Sequence, residues 1–229
     1  MDLKIKDVAD LLNLSETTIR RWLKEDKIPA YRINHQYRFN RNEIEAWVMK
    51  QRLGTQSDAP AKENQSPAGQ GGSKQFSLYR ALNKGGVIYN CPGNTKEEII
   101  RTAMRKIAKD LDIDAEAMTE LLLDRENLQS TGLGNGIALP HTRDYLLNNY
   151  QDAVVTCFPE KPIHYDALDG KPVHTLFFLF ACDDKRHLHL LAKIAHLSAL
   201  PETNGLLHGK PSKESLLEHV RSWESVCPG

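Results

Sequence analysis

Cysteine is scarce: Cys91, Cys157, Cys182 and Cys227 are scattered over 229 residues, with no C-x-x-C pair. Such spacing excludes a dense disulfide framework and reads as reduced thiols. Long apolar runs are missing too. The longest, Leu176 to Cys182, is far too short to cross a bilayer, and the opening M-D-L-K-I-K-D-V lacks the apolar core of a secretory signal. A cytoplasmic protein with no membrane part is expected. No internal repeat is visible, no H-E-x-x-H pair is present to hold a catalytic zinc, and no heptad zipper runs through residues 1–52. Net charge is absent as well, at +0 formally, which removes any bulk argument for a polyanionic partner.

That zero is a balance of unlike parts. Residues 1–52 hold 11 Lys/Arg against 8 Asp/Glu, whereas the remainder holds 19 against 22. The N-terminal surplus permits a nucleic-acid surface without requiring one. Hydrophobic residues make up 40% and charged residues 26%, enough for ordinary cores. Residues 53–75, L-G-T-Q-S-D-A-P-A-K-E-N-Q-S-P-A-G-Q-G-G-S-K-Q, have almost no apolar anchor and read as a flexible linker. Three parts are therefore expected: a small domain over 1–52, a linker over 53–75 and a larger domain over 76–229.

In the first part, Ile5, Val8, Ala9 and Leu12 share one side of a short helix, and Asn13-Leu14 turns out of it. Ser15 suits the N-cap of a second helix over 16–24, with Ile19, Trp22 and Leu23 inward. Thr17, Thr18, Arg20, Arg21 and Lys24 then occupy the start and outer side of that helix, where a recognition helix meets the major groove. Pro29 ends the helical stretch, Tyr31 to Phe39 alternates as a hairpin around Asn34-His35-Gln36, and Asn40 caps a last helix with Ile44, Trp47 and Val48. The pieces V-A-D-L-L-N-L-S-E-T-T-I-R-R-W-L, K-I-P-A-Y-R-I and Y-R-F-N-R-N-E-I-E-A-W resemble the excisionase-like branch of the MerR superfamily of winged helix-turn-helix domains. That resemblance implies a small, mainly helical winged domain with Arg32, His35, Gln36 and Arg38 on or near the wing that approaches DNA. Taken singly, each is equally at home as a solvated surface residue. One winged module buries little nucleic-acid surface, so a homodimer is expected.

The chemistry gathers in residues 125–143, R-E-N-L-Q-S-T-G-L-G-N-G-I-A-L-P-H-T-R. Gly132, Gly134 and Gly136 allow tight turns and close approach of amide N–H groups to an anion. Ser130 and Thr131 add donors, Arg125 adds a planar charged fork, and His141 offers a ring nitrogen as a phosphoryl acceptor. Arg125 followed by S-T-G-L-G-N-G-I-A-L-P-H resembles the enzyme IIA domains of the bacterial phosphoenolpyruvate-dependent phosphotransferase system, of the fructose/mannitol/nitrogen-regulatory type. The likeness extends through D-A-L-D-G-K-P-V-H-T-L-F-F-L-F-A and D-K-R-H-L-H-L-L-A-K-I-A. It implies an α/β domain with a mixed sheet and flanking helices, His141 as the phosphorylated residue, and His187 as a second active-site histidine at a helix start. His189, two residues further along, turns away. The sequence does not fix which nitrogen of His141 reacts. Phosphate transfer between histidines needs no cofactor and no metal, and His141, His187 and His189 lack the cysteines that would favour zinc.

The remaining elements follow from pattern. Helices are expected over 78–82, after the capping box at Thr95 to Glu98, over 115–126, over 186–200 and over 213–225; strands over 85–89, 137–139, 153–158 and 173–182. Fusion of a phosphoacceptor domain to a DNA-binding module points to regulation, with an HPr-like phosphocarrier as donor and DNA or a regulatory protein as target. Two alternatives stand beside it: a phosphocarrier step passing phosphate to a separate IIB in sugar uptake, and a protein-interaction module whose winged fold no longer binds DNA.

Overall fold

The computed structural model describes residues 2–12, 14–33, 36–53, 77–142, 152–167 and 169–226. It divides into two compact units, residues 1–61 and 62–229. Apart from Leu53, the expected linker lies outside the described residues, as do Asn34 and His35 of the expected wing turn.

The first unit runs β1 (Asp2–Leu3), α1 (Ile5–Leu12), α2 (Glu16–Lys24), β2 (Tyr31–Ile33), β3 (Gln36–Asn40) and α3 (Arg41–Leu53). α1 buries Val8, Ala9 and Leu11, leaving Ile5 and Leu12 half-buried. Ser15 caps α2 as expected, its Oγ accepting the Thr18 N–H at 3.1 Å. Ile19 is fully buried, while Trp22 stacks at a tilt on Trp47 with ring centroids 5.4 Å apart. The Trp47 indole N–H donates to the Lys27 carbonyl at 2.6 Å, which ties α3 to the turn after α2. Gln36 belongs to β3 rather than to the turn, opposite Ile33. β1 adds to the expected elements by pairing antiparallel with β3, in a sheet of order β1-β3-β2. Two residues carry no readable period, so only its partner strand reveals it.

The second unit comprises α4 (Leu78–Gly85), β4 (Val87–Cys91), α5 (Lys96–Leu111), α6 (Ala115–Leu128), β5 (Gly132–Gly134), β6 (Ile137–Ala138), β7 (Ala153–Pro159), β8 (Thr175–Phe180), α7 (Asp184–Ala199), α8 (Pro201–His208) and α9 (Lys213–Val226). β7 and β8, both buried along their whole length, pair antiparallel in the middle of a mixed five-stranded sheet of order β4-β7-β8-β6-β5. β4 joins β7 and β6 joins β8 in parallel, and β5 returns antiparallel to β6. Val155, Cys157, Leu176 and Phe178 share one core with Ile99, Ala103 and Ile107 of α5 and with Met118 and Leu122 of α6. Leu121, expected inward, is half-buried, and Leu123 takes the core position. α8 is also an addition. Its apolar content is thin and Gly205 interrupts it, but Pro201 at its first turn is a helix-start signal.

One carboxylate joins the two ends of this unit. Glu224 of α9 accepts the Leu78 N–H at 2.7 Å, the Tyr79 N–H at 3.2 Å and the Ser77 hydroxyl at 2.8 Å. It also receives Lys193 of α7 at 2.8 Å. It thereby satisfies amides at the start of α4 that no helical carbonyl reaches. Burial pushes the Glu224 carboxyl up, but Lys193 and these donors outweigh burial and hold it below its ordinary value of 4.5. A depressed carboxyl stabilises the fold above the unfolded value and loses that contribution as pH falls through the folded value. Glu224→Gln is therefore expected to cost about 2 kcal/mol near neutrality. Denaturant titrations from pH 7 down to pH 3 should show the gap between the two proteins closing; a constant gap would contradict the assignment.

Candidate functional site

The parallel pairing of β6 with β8 decides where the site forms. Parallel strands leave a sheet on the same side, the side on which α/β folds gather their ligands. Beyond β6, the Pro140 carbonyl accepts the Leu179 N–H at 3.0 Å, and His141 bridges to Leu179 in the same sense. Beyond β8, Asp183 caps α7 by accepting the Arg186 N–H at 2.9 Å, and His187 lies one turn inside that helix. Asp152 steadies the approach by accepting the Cys182 N–H at 3.0 Å and pairing with Arg186 at 3.6 Å. Two histidines 46 positions apart in sequence thus meet, with ring centroids 5.3 Å apart and planes inclined by 55°. His189 is turned about 200° around α7 from His187.

The tautomer of His141 follows from one hydrogen bond. Its Nδ1 lies 2.7 Å from the Leu139 carbonyl oxygen, which can only accept. Nδ1 therefore carries the proton, and in the neutral ring Nε2 holds the nucleophilic lone pair.

The glycine stretch is a β-hairpin, formed by β5 and β6. Ser130 Oγ donates to the Tyr165 carbonyl at 2.8 Å and accepts the Gly132 N–H at 3.2 Å. Thr131 donates both its N–H, at 3.0 Å, and its hydroxyl, at 2.5 Å, to Glu126 Oε2. The hydrogen bonds of both hydroxyls run into the protein. Gly132 lies against Ala167, whose Cβ would stand 2.7 Å from any side chain placed there. At the tip, Asn135 donates its N–H to Asp169 at 2.7 Å, next to Gly134. Gly136 has φ +75° and rests on the ring of His174, 2.4 Å from where a Cβ would stand. Burial, with His208 5.1 Å away, holds the His174 ring below its ordinary value, so it is neutral at physiological pH. Arg125, at the C-terminal turn of α6, donates to the Gln129 carbonyl at 2.9 Å, where the chain enters the hairpin.

In the first unit, Thr17, Arg20, Arg21 and Lys24 are exposed on α2, with Arg20 paired to Glu16 at 3.5 Å. The Thr18 hydroxyl joins the helix cap through Ser15, at 2.9 Å. Arg32 is exposed on β2 with its guanidinium 6.0 Å from the Tyr37 ring centre, and Arg38 donates to Gln36 at 2.8 Å. His35 lies outside the described residues.

Glu126, Tyr165, Asp169 and His174 are site-shaping residues that the sequence reading missed. For Glu126 a signal existed. It follows Met118 and Leu122 at four-residue steps on the apolar stripe of α6, an unusual position for a carboxylate.

A mixed sheet of this order, ending in a Pro-His beside a histidine at a helix start, defines a IIA-type domain of the phosphotransferase system, here with a winged helix-turn-helix unit. Residues 80–222 match the phosphoenolpyruvate-dependent sugar phosphotransferase system EIIA 2 family, and residues 3–52 match a helix-turn-helix domain family. The chain belongs to the EIIA 2 family. The nitrogen regulatory protein of Pseudomonas aeruginosa is 35% identical to it over 147 residues, covering 62% of this chain and 94% of that protein. The fructose-specific EIIABC component of Bacillus subtilis is 30% identical over 144 residues, 62% of this chain and 21% of that protein. The crystal structure of nitrogen regulatory protein IIA-Ntr from Neisseria meningitidis superposes with a TM-score of 0.54 at 25% identity, over 65% of this chain and 97% of that one. Among the described residues no helix is long and apolar enough to cross a membrane.

Gly136→Ala should cost about 3 kcal/mol, from the left-handed backbone and the clash with His174 together. Adding His174→Ala should recover the steric part and leave about 1 kcal/mol of backbone strain. Thermal unfolding of the two variants measures both, and full recovery in the double variant would show that the backbone is unstrained.

Proposed function

We propose that this chain is a regulatory phosphoacceptor: His141 takes a phosphoryl group on Nε2 from the phosphohistidine of an HPr-like carrier, and its phosphorylation state governs DNA binding by residues 1–52 or the choice of a protein partner. The observation that carries the chemistry is the 2.7 Å contact of His141 Nδ1 with the Leu139 carbonyl. It leaves Nε2 as the lone-pair nitrogen and fixes the ring plane. As the Nε2–P bond forms, the donor's N–P bond breaks and its electron pair returns to the donor ring. No proton need leave Nδ1. In this reading His187, its ring 5.3 Å from that of His141, meets the phosphoryl oxygens, and the start of α7 adds a positive dipole end. Arg125 is the cation expected to complete the charge balance, with the Ser130 and Gly134 amides as further donors, since the Thr131 and Gly132 amides already donate to Glu126 and Ser130. Similarity to nitrogen regulatory proteins and the fused helix-turn-helix domain support a regulatory purpose, which this reading assigns to the cytoplasm.

The likeness to a fructose-specific EIIABC component favours one other reading, transfer onward to a separate IIB. Incubation with phosphorylated HPr-like carrier and radiolabelled phosphate should give an acid-labile, base-stable label on the wild-type chain and none on His141→Ala. Absence of label from both would sink the two readings together. Promptly chased label on addition of a IIB, with DNA affinity unchanged, would favour the uptake role.

For the winged unit, Arg21→Ala and Lys24→Ala should each reduce the slope of log affinity against log salt by about 1, without changing sequence preference. Filter binding over a salt series measures this. A wild-type slope near zero would mean that the winged fold serves protein contacts instead.

A further inference from the structure

The phosphoacceptor ring is held by residues that the reaction itself never touches. The Leu139 carbonyl fixes His141, as described above. The Leu139 N–H in turn donates to the Thr131 carbonyl at 3.0 Å, closing the base of the glycine hairpin where Gly132 faces Ala138. Thr131 is fastened from behind, by N–H and hydroxyl together, to a single oxygen of Glu126. Glu126 is 3% exposed and Thr131 2%, so bulk solvent does not compete for these bonds. Lys96 of α5 approaches the other Glu126 oxygen at 3.7 Å, while Lys96 itself is bound more closely to Asp166, at 2.9 Å. The Tyr165 hydroxyl stands 3.4 Å from the Thr131 hydroxyl on the remaining side.

We propose that Glu126 is a positioning residue for phosphoryl acceptance: through Thr131 and the hairpin base it sets the place of the Leu139 carbonyl, and so the tautomer and aim of the His141 ring. The inference rests on His141 as the acceptor. A purely structural carboxylate at this depth is poorly explained, because its charge is incompletely paired. Burial pushes the Glu126 carboxyl up, against the Thr131 donors and Lys96. Apolar packing would serve stability better than a half-neutralised buried acid. What the carboxylate provides is one oxygen that accepts both the N–H and the hydroxyl of Thr131, and the direction of these two bonds fixes the hairpin. Thr131 joins the helix carrying Glu126 to the hairpin leading to His141.

Glu126→Gln keeps the shape but has one acceptor oxygen where the carboxylate has two, so whichever way the amide turns, its NH2 donors face either Thr131 or Lys96 and the two Thr131 bonds are weakened or lost. Thr131→Val keeps the shape and removes the hydroxyl, and Thr131→Ser restores it. Each full chain would be labelled with 15N-histidine, and the His141 tautomer read from two-bond nitrogen–proton correlations. Single-turnover phosphate transfer from the phosphorylated carrier would be followed alongside, with circular dichroism and thermal unfolding as controls. The wild type should show a protonated Nδ1. Glu126→Gln should show a mixed tautomer and a transfer rate lower by about 10- to 100-fold, with the carrier concentration at half-maximal rate unchanged. Thr131→Val should move the same way by a smaller factor, and Thr131→Ser should stay near wild type. A folded Glu126→Gln with the wild-type tautomer and rate overturns the proposal. If Glu126→Gln does not fold, Thr131→Val decides by the same two readouts. If the wild type itself takes no phosphate, the acceptor reading fails, and unchanged tautomer spectra in the variants would separately refute positioning.

Discussion

The parallel register between β6 and β8 is the constraint on which the second unit's site depends. Ile137 stands opposite Thr175, Ala138 opposite Leu176 and His141 opposite Leu179, so His141 comes to lie beside the end of β8. One delivers Pro140-His141 and the other delivers the cap of α7. An antiparallel pairing would send His141 and His187 to opposite ends of the sheet. The register is held by a buried, apolar neighbourhood in which a one-residue slip would reverse every side chain of β8. The short strands β5 and β6 could not impose it alone. They borrow it from the seven- and six-residue strands β7 and β8.

Much of this was legible in the sequence because it lies in local pattern. The caps at Ser15 and Thr95, the stripe of α5 and the apolar runs of β7 and β8 each announce an element through a period or a single side chain. Thr95 Oγ1 accepts the Glu98 N–H as a capping box requires, and the Glu98 carboxylate reaches back to Asn94, one residue further than expected. What was not legible depends on partners that no local period or residue type announces. β1 and β5 exist through pairing. His174 reads as an ordinary surface residue until Gly136 is found lying on its ring. The tautomer of His141 depends on a carbonyl, a group that every residue possesses and no sequence pattern marks. Hydroxyls that read as anion donors, Ser130 and Thr131, bond instead to Tyr165 and Glu126, because a hairpin of glycines has few side chains of its own to hold it.

Glu126 and Glu224 show how one residue type serves two ends. Both fasten backbone N–H groups outside their own helices, Glu224 across the unit and Glu126 only five residues on, and both are largely buried. Glu224 has a lysine at 2.8 Å and donors on both oxygens, so its charge is well compensated and its carboxyl is depressed. Glu126 has its lysine at 3.7 Å, engaged more closely elsewhere, and its carboxyl is raised. The first arrangement is what stability favours. The second accepts an electrostatic cost at the hairpin that leads to the reacting histidine, which is where strain and incomplete pairing are expected when geometry matters more than stability.

Charge also sets a condition on the proposed regulation. A phosphoryl group on His141 adds about −1.5 to −2 at neutral pH. Residues 1–52 carry 11 basic against 8 acidic residues, so the addition is comparable to their whole surplus. Net charge alone would not transmit it, because the basic residues of α2, such as Arg20, Arg21 and Lys24, face solvent, where at physiological salt interactions are screened over about 8 Å. Whatever the phosphoryl group controls, whether DNA, a second copy of the chain or another protein, has to come within that distance of His141. Under the proposed regulation, control of DNA binding by phosphorylation is therefore a question of which surface meets the histidine.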